Sequence, residues 1–96
     1  MIEADKRVRL AAKVRLQRDR VSGKQFLLYP ERGLELSDSA ARIVALCGDG
    51  REGAVRTVAA IADELAAASG EPRERIESEV LSFLGALADR GLLVVT

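Results

Sequence analysis

The side chains that usually perform covalent or metal chemistry are sparse in this chain of 96 residues. It has no histidine and a single cysteine, Cys47, and no residues stand at the spacing of a metal site or of a nucleophile with its base. Cys47 falls on the apolar stripe of a predicted helix, which favours a buried thiol. Gly48-Asp49-Gly50 could hold an anion, but a helix stop and a turn explain it more simply. We therefore expect no metal site, no cofactor and no enzymatic activity.

Backbone hydrogen bonding is the chemistry that the sequence does offer, along a short predicted strand from Gly33 to Ser37. The strand enters a helix at Ser37-Asp38 with almost no linker, and we expect it at a sheet edge. An edge strand has unpaired N–H and C=O groups that another chain can use. Leu34 and Leu36 should point into the core, which leaves the backbone for a ligand. From the residues alone, a plain edge and a peptide-accepting edge both remain open.

Composition predicts one small domain spanning residues 1–96. Hydrophobic residues make up 48% of the chain but aromatic residues only 3%, so the core should be aliphatic. A single cysteine excludes an intramolecular disulfide and suits a reducing compartment. No apolar run approaches the roughly 18 residues of a membrane span, and the N-terminus lacks the apolar stretch of a signal peptide. These features predict a cytoplasmic protein.

Charge is unevenly distributed along the chain. The total is zero, with 15 basic and 15 acidic residues, so the balance indicates neither nucleic acid nor an anionic membrane as a partner. The first 24 residues contain eight Lys or Arg against three Asp or Glu, a net charge of +5 that the remainder offsets. The basic face of Arg9, Lys13 and Arg15 is more simply a solvated strand face than a docking patch.

Three strands are predicted in the first part of the chain. Apolar residues alternate with polar ones from Val8 to Leu16, which predicts a strand or an extended arm. A turn at Val21 to Lys24 leads to a second, mostly apolar strand from Gln25 to Tyr29. Pro30 and Gly33 then bracket the reversal into the third strand.

Three helices are predicted after these strands. The first is capped at Ser37 to Ser39 and ends at Gly48-Asp49-Gly50, and the second carries its apolar residues from Val58 to Leu65. The third is stopped by Gly91 and is followed by a tail strand or docked end. Its apolar positions have helical spacing: Ile76, Val80, Phe83, Leu84 and Leu87, widened by Leu81 and Ala88. This order predicts an α+β, winged-helix-like domain with a three-stranded antiparallel N-terminal sheet followed by three helices.

A winged-helix order also raises the alternative of a DNA-binding regulator. Such a protein needs cationic side chains on its recognition helix. The third helix and its approach carry an acidic excess instead: Glu71, Glu74, Glu77, Glu79 and Asp89 against Arg73, Arg75 and Arg90. Because this surface would repel a duplex, we expect no nucleic-acid partner.

Two segments of the chain resemble the PqqD family of pyrroloquinoline quinone biosynthesis. They are VRLQRDRVSGKQFLLYPERGLELSDSAARIVALC and EVLSFLGALADRGLL, and Leu27 to Ile43 is the most specific part. The resemblance covers about nine-tenths of the chain. It implies a recognition element for ribosomally made peptides, not a catalyst. Its partners would be the precursor peptide PqqA, which it binds, and the radical S-adenosylmethionine enzyme PqqE, to which it presents that peptide.

The resemblance also implies a binding site. In the family, the leader portion of the peptide adds a strand to the third strand and lies against the third helix. In this sequence, the expected peptide-binding residues are Gly33, Leu34, Glu35, Leu36 and Ser37 on the strand, with Ile76, Glu79, Val80, Leu81 and Leu84 on the helix. Ile76 and Val80 belong first to the core stripe, and Leu81 and Leu84 at its margin are the better groove candidates. A structural adaptor that docks PqqE without binding peptide is a further alternative.

The chain departs from the family pattern in one loop and in the second helix. An apparent loop extension runs from Gly48 to Ala54, and the second helix lacks an aromatic residue often found near its end. Both departures argue against a role of this loop in docking PqqE, but not against the groove between strand and helix. Residues 1–7 are expected to be disordered or an exchangeable arm. Such an arm beside an open edge predicts either a monomer or an arm-exchanged homodimer.

Overall fold

Two small antiparallel sheets and three helices form the fold, in a computed structural model that describes residues 3–30, 32–47 and 55–96. The first half contains strands β1 (Arg7–Leu10), β2 (Arg15–Arg18), β3 (Gln25–Tyr29) and β4 (Arg32–Leu36), then helix α1 (Asp38–Leu46). The second half contains strand β5 (Arg56–Thr57), helices α2 (Val58–Ser69) and α3 (Arg73–Asp89), and strand β6 (Leu93–Val95).

Strands β2, β3 and β4 form one antiparallel sheet in that order. A polar turn joins β2 to β3: the Asp19 carboxylate accepts hydrogen bonds from the Val21 N–H and the Ser22 hydroxyl, each at 3.0 Å. These bonds lower the pKa of Asp19 because they stabilise the charged carboxylate, and the bond from the Val21 N–H has the largest effect. Gly23 takes the left-handed backbone, with φ of 76°, that reverses the chain. The predicted N-terminal sheet followed by three helices is confirmed.

A second sheet, with strand order β5-β1-β6, was not predicted. The alternation from Val8 to Leu16 predicts one continuous element, but the structure divides it between β1 and β2. Lys13 has φ of 69°, and the Val14 N–H donates to the Ala11 carbonyl at 3.1 Å, so the chain turns between these strands. As a result β1 pairs with β6, Val8 opposite Val95, and the C-terminal tail is a strand.

The helix boundaries follow local capping. The Ser37 hydroxyl accepts a hydrogen bond from the Ala40 N–H at 3.1 Å, as predicted for the start of α1. Thr57 caps α2 in the same way through the Ala60 N–H. Pro72 stands at the N-cap of α3, where its missing N–H costs no helical hydrogen bond.

An aliphatic core joins both sheets to the helices. Each sheet and each helix contributes a side chain that is at most 1% exposed. These are Val8 of β1, Leu27 of β3, Val44 of α1, Ile61 of α2 and Leu84 of α3. Helix α1 packs on β2, β3 and β4, whereas α3 packs mainly on α2 and β6. Across the described ranges, none of the helices has the length and apolar character to span a bilayer.

The burial of Leu84 generates a stability prediction. Leu84→Ala should lower the free energy of unfolding by about 2–5 kcal/mol, because it removes apolar contacts and leaves a cavity in the core. Leu81→Ala is the matched control, since Leu81 is only half-buried on the same helix and should cost clearly less. Urea unfolding followed by circular dichroism measures both. Equal losses for the two variants would contradict this description of the core.

Candidate functional site

Strand β4 is an edge strand, because the sheet order pairs it with β3 on one side only. Tyr29 pairs with Arg32 where the hairpin closes, and the register continues unbroken to Gln25 opposite Leu36. Residues that flank a two-residue loop exchange hydrogen bonds, and along an antiparallel ladder every second residue does so. The backbone of Arg32, Leu34 and Leu36 therefore faces β3.

The N–H and C=O groups of Gly33 and Glu35 consequently face away from the sheet. Among the described residues no backbone group donates to them or accepts from them on that outer side. They provide two donors and two acceptors at the spacing that an added strand requires. This open edge is the principal feature of the candidate site.

The predicted acceptor segment includes Ser37, but β4 ends at Leu36 and Ser37 caps α1. The Ser37 hydroxyl accepts from the Ala40 N–H, and its carbonyl accepts from the Ala41 N–H at 2.9 Å. Of the Ser37 backbone groups, the N–H is the one without a backbone hydrogen-bond partner among the described residues. The open part of the edge is thus shorter than the sequence predicts.

The side chains of β4 lie as predicted. Leu36 is buried and Leu34 is half-buried against the core, so neither presents its side chain to a ligand at the outer face. Glu35 is exposed, and its Oε2 lies 3.8 Å from the Lys24 Nζ. Both side chains of this ion pair are 57% exposed, so solvent screens it and it contributes little to stability.

The predicted residues of α3 divide into buried and accessible ones. Ile76, Val80 and Leu84 are 7%, 1% and 0% exposed. The prediction that Leu84 lies at the margin of the core is therefore wrong, because its side chain is fully buried. Glu79 is exposed, with its Oε1 3.6 Å from the Arg75 Nε, and Leu81 is half-buried. Glu79 and Leu81 are therefore the members of this set that a ligand can reach. A joint groove between β4 and α3 stays a prediction.

Leu81 also lines a groove of about 750 Å³ that sequence reasoning missed. Small side chains of α3 form much of its wall, and the lining residues are Leu81, Ser82, Gly85, Ala86, Ala88, Asp89 and Val95. The run of small residues on the exposed side of the helix was the available signal. The contribution of Val95 could not be read from the sequence, since it depends on the pairing of β6.

The outer face of the β2-β3-β4 sheet carries two further apolar side chains, Phe26 and Leu28. They lie opposite Glu35 and Gly33 in the register, are half-buried, and do not pack against the core. They form part of a second cleft of about 650 Å³, together with Gln17, Arg18, Asp19 and Arg20. The sequence does not reveal this face, because QFLLY is apolar from Phe26 to Leu28 and shows no alternation of polar and apolar residues there.

Cys47 is buried, as predicted, at the C-terminal end of α1. Burial raises the pKa of its thiol to about 12, and the nearby positive charge of Arg56 acts in the opposite direction. A neutral thiol is a poor nucleophile and a poor metal ligand. No group of metal-binding side chains occurs within the described part of the chain. Gly48-Asp49-Gly50 and the extended loop from Gly48 to Ala54 lie outside the described residues.

Known proteins resemble this chain along the segment that contains the open edge. The family model for coenzyme PQQ synthesis protein D (PqqD) matches residues 24–93, from the start of β3 into β6. The chain belongs to the PqqD family. The resemblance found in the sequence is therefore confirmed.

Curated relatives of this chain carry the name "PqqA binding protein". The one from Xanthomonas axonopodis pv. citri is 41% identical over 92 residues, which cover 96% of this chain and 95% of the relative. The one from Rhodopseudomonas palustris strain HaA2 is 36% identical over 92 residues, covering 96% of this chain and 85% of the relative.

A solved structure has the same fold. It is the solution NMR structure of the PqqD truncation of Methylobacterium extorquens PqqCD, which is described as a functional, stand-alone recognition element for ribosomally synthesised and modified peptides. The TM-score is 0.81 and the sequence identity 31%, with 98% of this chain and 95% of that chain covered. The match confirms the fold class.

The environment of Cys47 generates a prediction about thiol reactivity. At pH 8 the native protein should react with an aromatic disulfide reagent at least about 100-fold more slowly than the protein in guanidinium chloride, because burial keeps the thiol neutral and inaccessible. Absorbance of the released thiolate measures both rates. Comparable rates for the native and unfolded protein would contradict the described environment.

The same pKa shift predicts a dependence of stability on pH. The unfolded thiol ionises near its ordinary pKa of 9.0, whereas the folded thiol stays neutral up to about 12. The thiol's contribution to stability is therefore complete below pH 9 and falls as the pH rises from 9 to 12. The difference in unfolding free energy between the native sequence and Cys47→Ala should shrink over this range. A difference independent of pH would contradict the shift.

Proposed function

We propose that this member of the PqqD family binds the precursor peptide PqqA by pairing a segment of it, as an added strand, with β4, and presents it to the radical S-adenosylmethionine enzyme PqqE. The observation that carries the proposal is the pair of outward-facing backbone positions, Gly33 and Glu35, on an edge that the family model covers. The names of the curated relatives support PqqA as the ligand.

Strand addition suits a ligand that is unfolded before it binds. Each main-chain hydrogen bond contributes about 0.5–1.5 kcal/mol net and does so whatever the peptide side chain is. Ordering the peptide costs conformational entropy that offsets part of this gain. The balance predicts an affinity of roughly micromolar order, which lets the peptide leave for the enzyme that modifies it.

The exposed positions of α3 supply a second contact in this proposal. Leu81 would meet an apolar side chain of the peptide, and Glu79 a polar or basic one. The buried residues Ile76, Val80 and Leu84 would act indirectly, because their packing positions the helix. We place the binding step in the cytoplasm, where a lone thiol such as Cys47 stays reduced.

This role is one of binding and not of catalysis. PqqA would pass to PqqE with its covalent structure unchanged, so the recognition element needs no acid, base or nucleophile. The neutral thiol of Cys47 accords with that role. PqqE would then recognise the complex of protein and extended peptide.

Substitutions at Glu35 test the proposal. Its N–H faces outward, so Glu35→Pro removes a donor that only an added strand uses, and leaves the bonds between β3 and β4 in place. Glu35→Ala is the matched control, since it removes the side chain and keeps the donor. Calorimetry with synthetic PqqA and no enzyme should give binding by Glu35→Ala within about threefold of the native protein, and at least about tenfold weaker binding by Glu35→Pro.

Other outcomes would separate the alternatives. Native-like binding by Glu35→Pro would contradict strand addition at β4. An absence of heat with the native protein would favour an adaptor that docks PqqE without touching the peptide. PqqA with N-methylated amides at alternate positions tests the same hydrogen bonds with the native protein, so the result does not depend on how well Glu35→Pro folds.

A further inference from the structure

Gly33 and Leu28 stand directly opposite each other on β4 and β3. A Cβ atom built on Gly33 would lie only 2.9 Å from the Leu28 Cδ2, closer than side-chain carbons approach one another. A larger residue at position 33 would therefore require the Leu28 side chain to move away from the Gly33 backbone. Gly33 does not have the left-handed backbone that Gly23 adopts, so a backbone requirement does not account for the glycine.

The Leu28 side chain is placed where an added strand would meet it. It is on the outer face, is half-buried and does not pack against the core, and it reaches over the Gly33 backbone toward the open edge. Glycine within a strand commonly marks the close approach of a ligand or another backbone. Here the backbone groups that face the added strand belong to that same glycine.

We propose that Leu28 and Gly33 form a subsite that selects one large apolar side chain of the bound peptide. This inference rests on the proposed addition of a strand to β4. A residue paired with Gly33 would carry its side chain on the outer face, with its Cβ about 5 Å from the Gly33 position. Because Gly33 has no side chain, that residue contacts Leu28 across β4. Leucine, isoleucine, methionine, phenylalanine and tyrosine have the length and apolar surface that fill the gap.

The neighbouring position on the same face lacks this arrangement. Phe26 lies opposite Glu35, and the Glu35 side chain separates Phe26 from any strand added at the edge. The subsite is therefore specific to the peptide residue that pairs with Gly33. Phe26 provides a control on the same strand and the same face.

An alanine scan of synthetic PqqA against three forms of the protein tests the subsite by calorimetry. With the native protein, alanine at one apolar peptide position should weaken binding about two- to fivefold through loss of the Leu28 contact. With Leu28→Ala, the same peptide change should have almost no further effect. With Phe26→Ala, the dependence on that position should persist.

A second variant acts on the same contact from the glycine. Gly33→Ala places a methyl group where Leu28 lies, so it should weaken binding of the native peptide more than binding of the peptide with alanine at the paired position. If Gly33 serves only to pack the hairpin, Gly33→Ala would lower stability and weaken both peptides equally, which overturns the subsite.

The outcomes separate this inference from the proposal on which it rests. Suppose that Glu35→Pro weakens binding but that Leu28→Ala gives the same alanine scan as the native protein. This result overturns the subsite and leaves strand addition intact. Absence of binding by the native protein overturns strand addition and the subsite together. The subsite is supported if binding affinity no longer depends on the side chain at one peptide position in Leu28→Ala but still does in Phe26→Ala.

Discussion

The register of the β3-β4 hairpin is the constraint on which the candidate site depends. Closure between Tyr29 and Arg32 decides which residues of β4 bond to β3 and which face outward. A slip of one residue would turn Leu36 out of the core and exchange the inward and outward backbone groups. Burial of Leu36 therefore holds the outward positions of Gly33 and Glu35, so core packing on one face of the strand prepares the hydrogen-bonding groups at its edge.

The elements around β4 hold this edge open. Helix α1 packs on all three strands of the sheet and is capped by Ser37, whose hydroxyl and carbonyl both accept hydrogen bonds from its first turn. The strand therefore ends within one residue of its last core side chain. An exposed edge risks pairing with other copies, and its short length and the charged side chains of Arg32 and Glu35 reduce that risk.

Local chemistry allowed much of the fold to be predicted from the sequence. The Ser37 cap and the long apolar period of α3 located their helices because these signals act within a few residues. The division of the N-terminal strand at Lys13 was not predictable, since a lysine with a left-handed backbone leaves no pattern. The depth of Leu84 and the outer face of Phe26 and Leu28 depend on which elements pack together, and a broadly apolar segment does not specify that.

Amide hydrogen exchange, measured by NMR with and without PqqA, tests the open edge most directly. In the free protein, the Gly33 and Glu35 amides should exchange rapidly while the Leu34 amide, bonded to β3, is protected. Saturation with PqqA should protect Gly33 and Glu35 and leave Leu34 unchanged. Protection of both amides in the free protein, or their rapid exchange in the saturated complex, would contradict peptide binding by strand addition at β4.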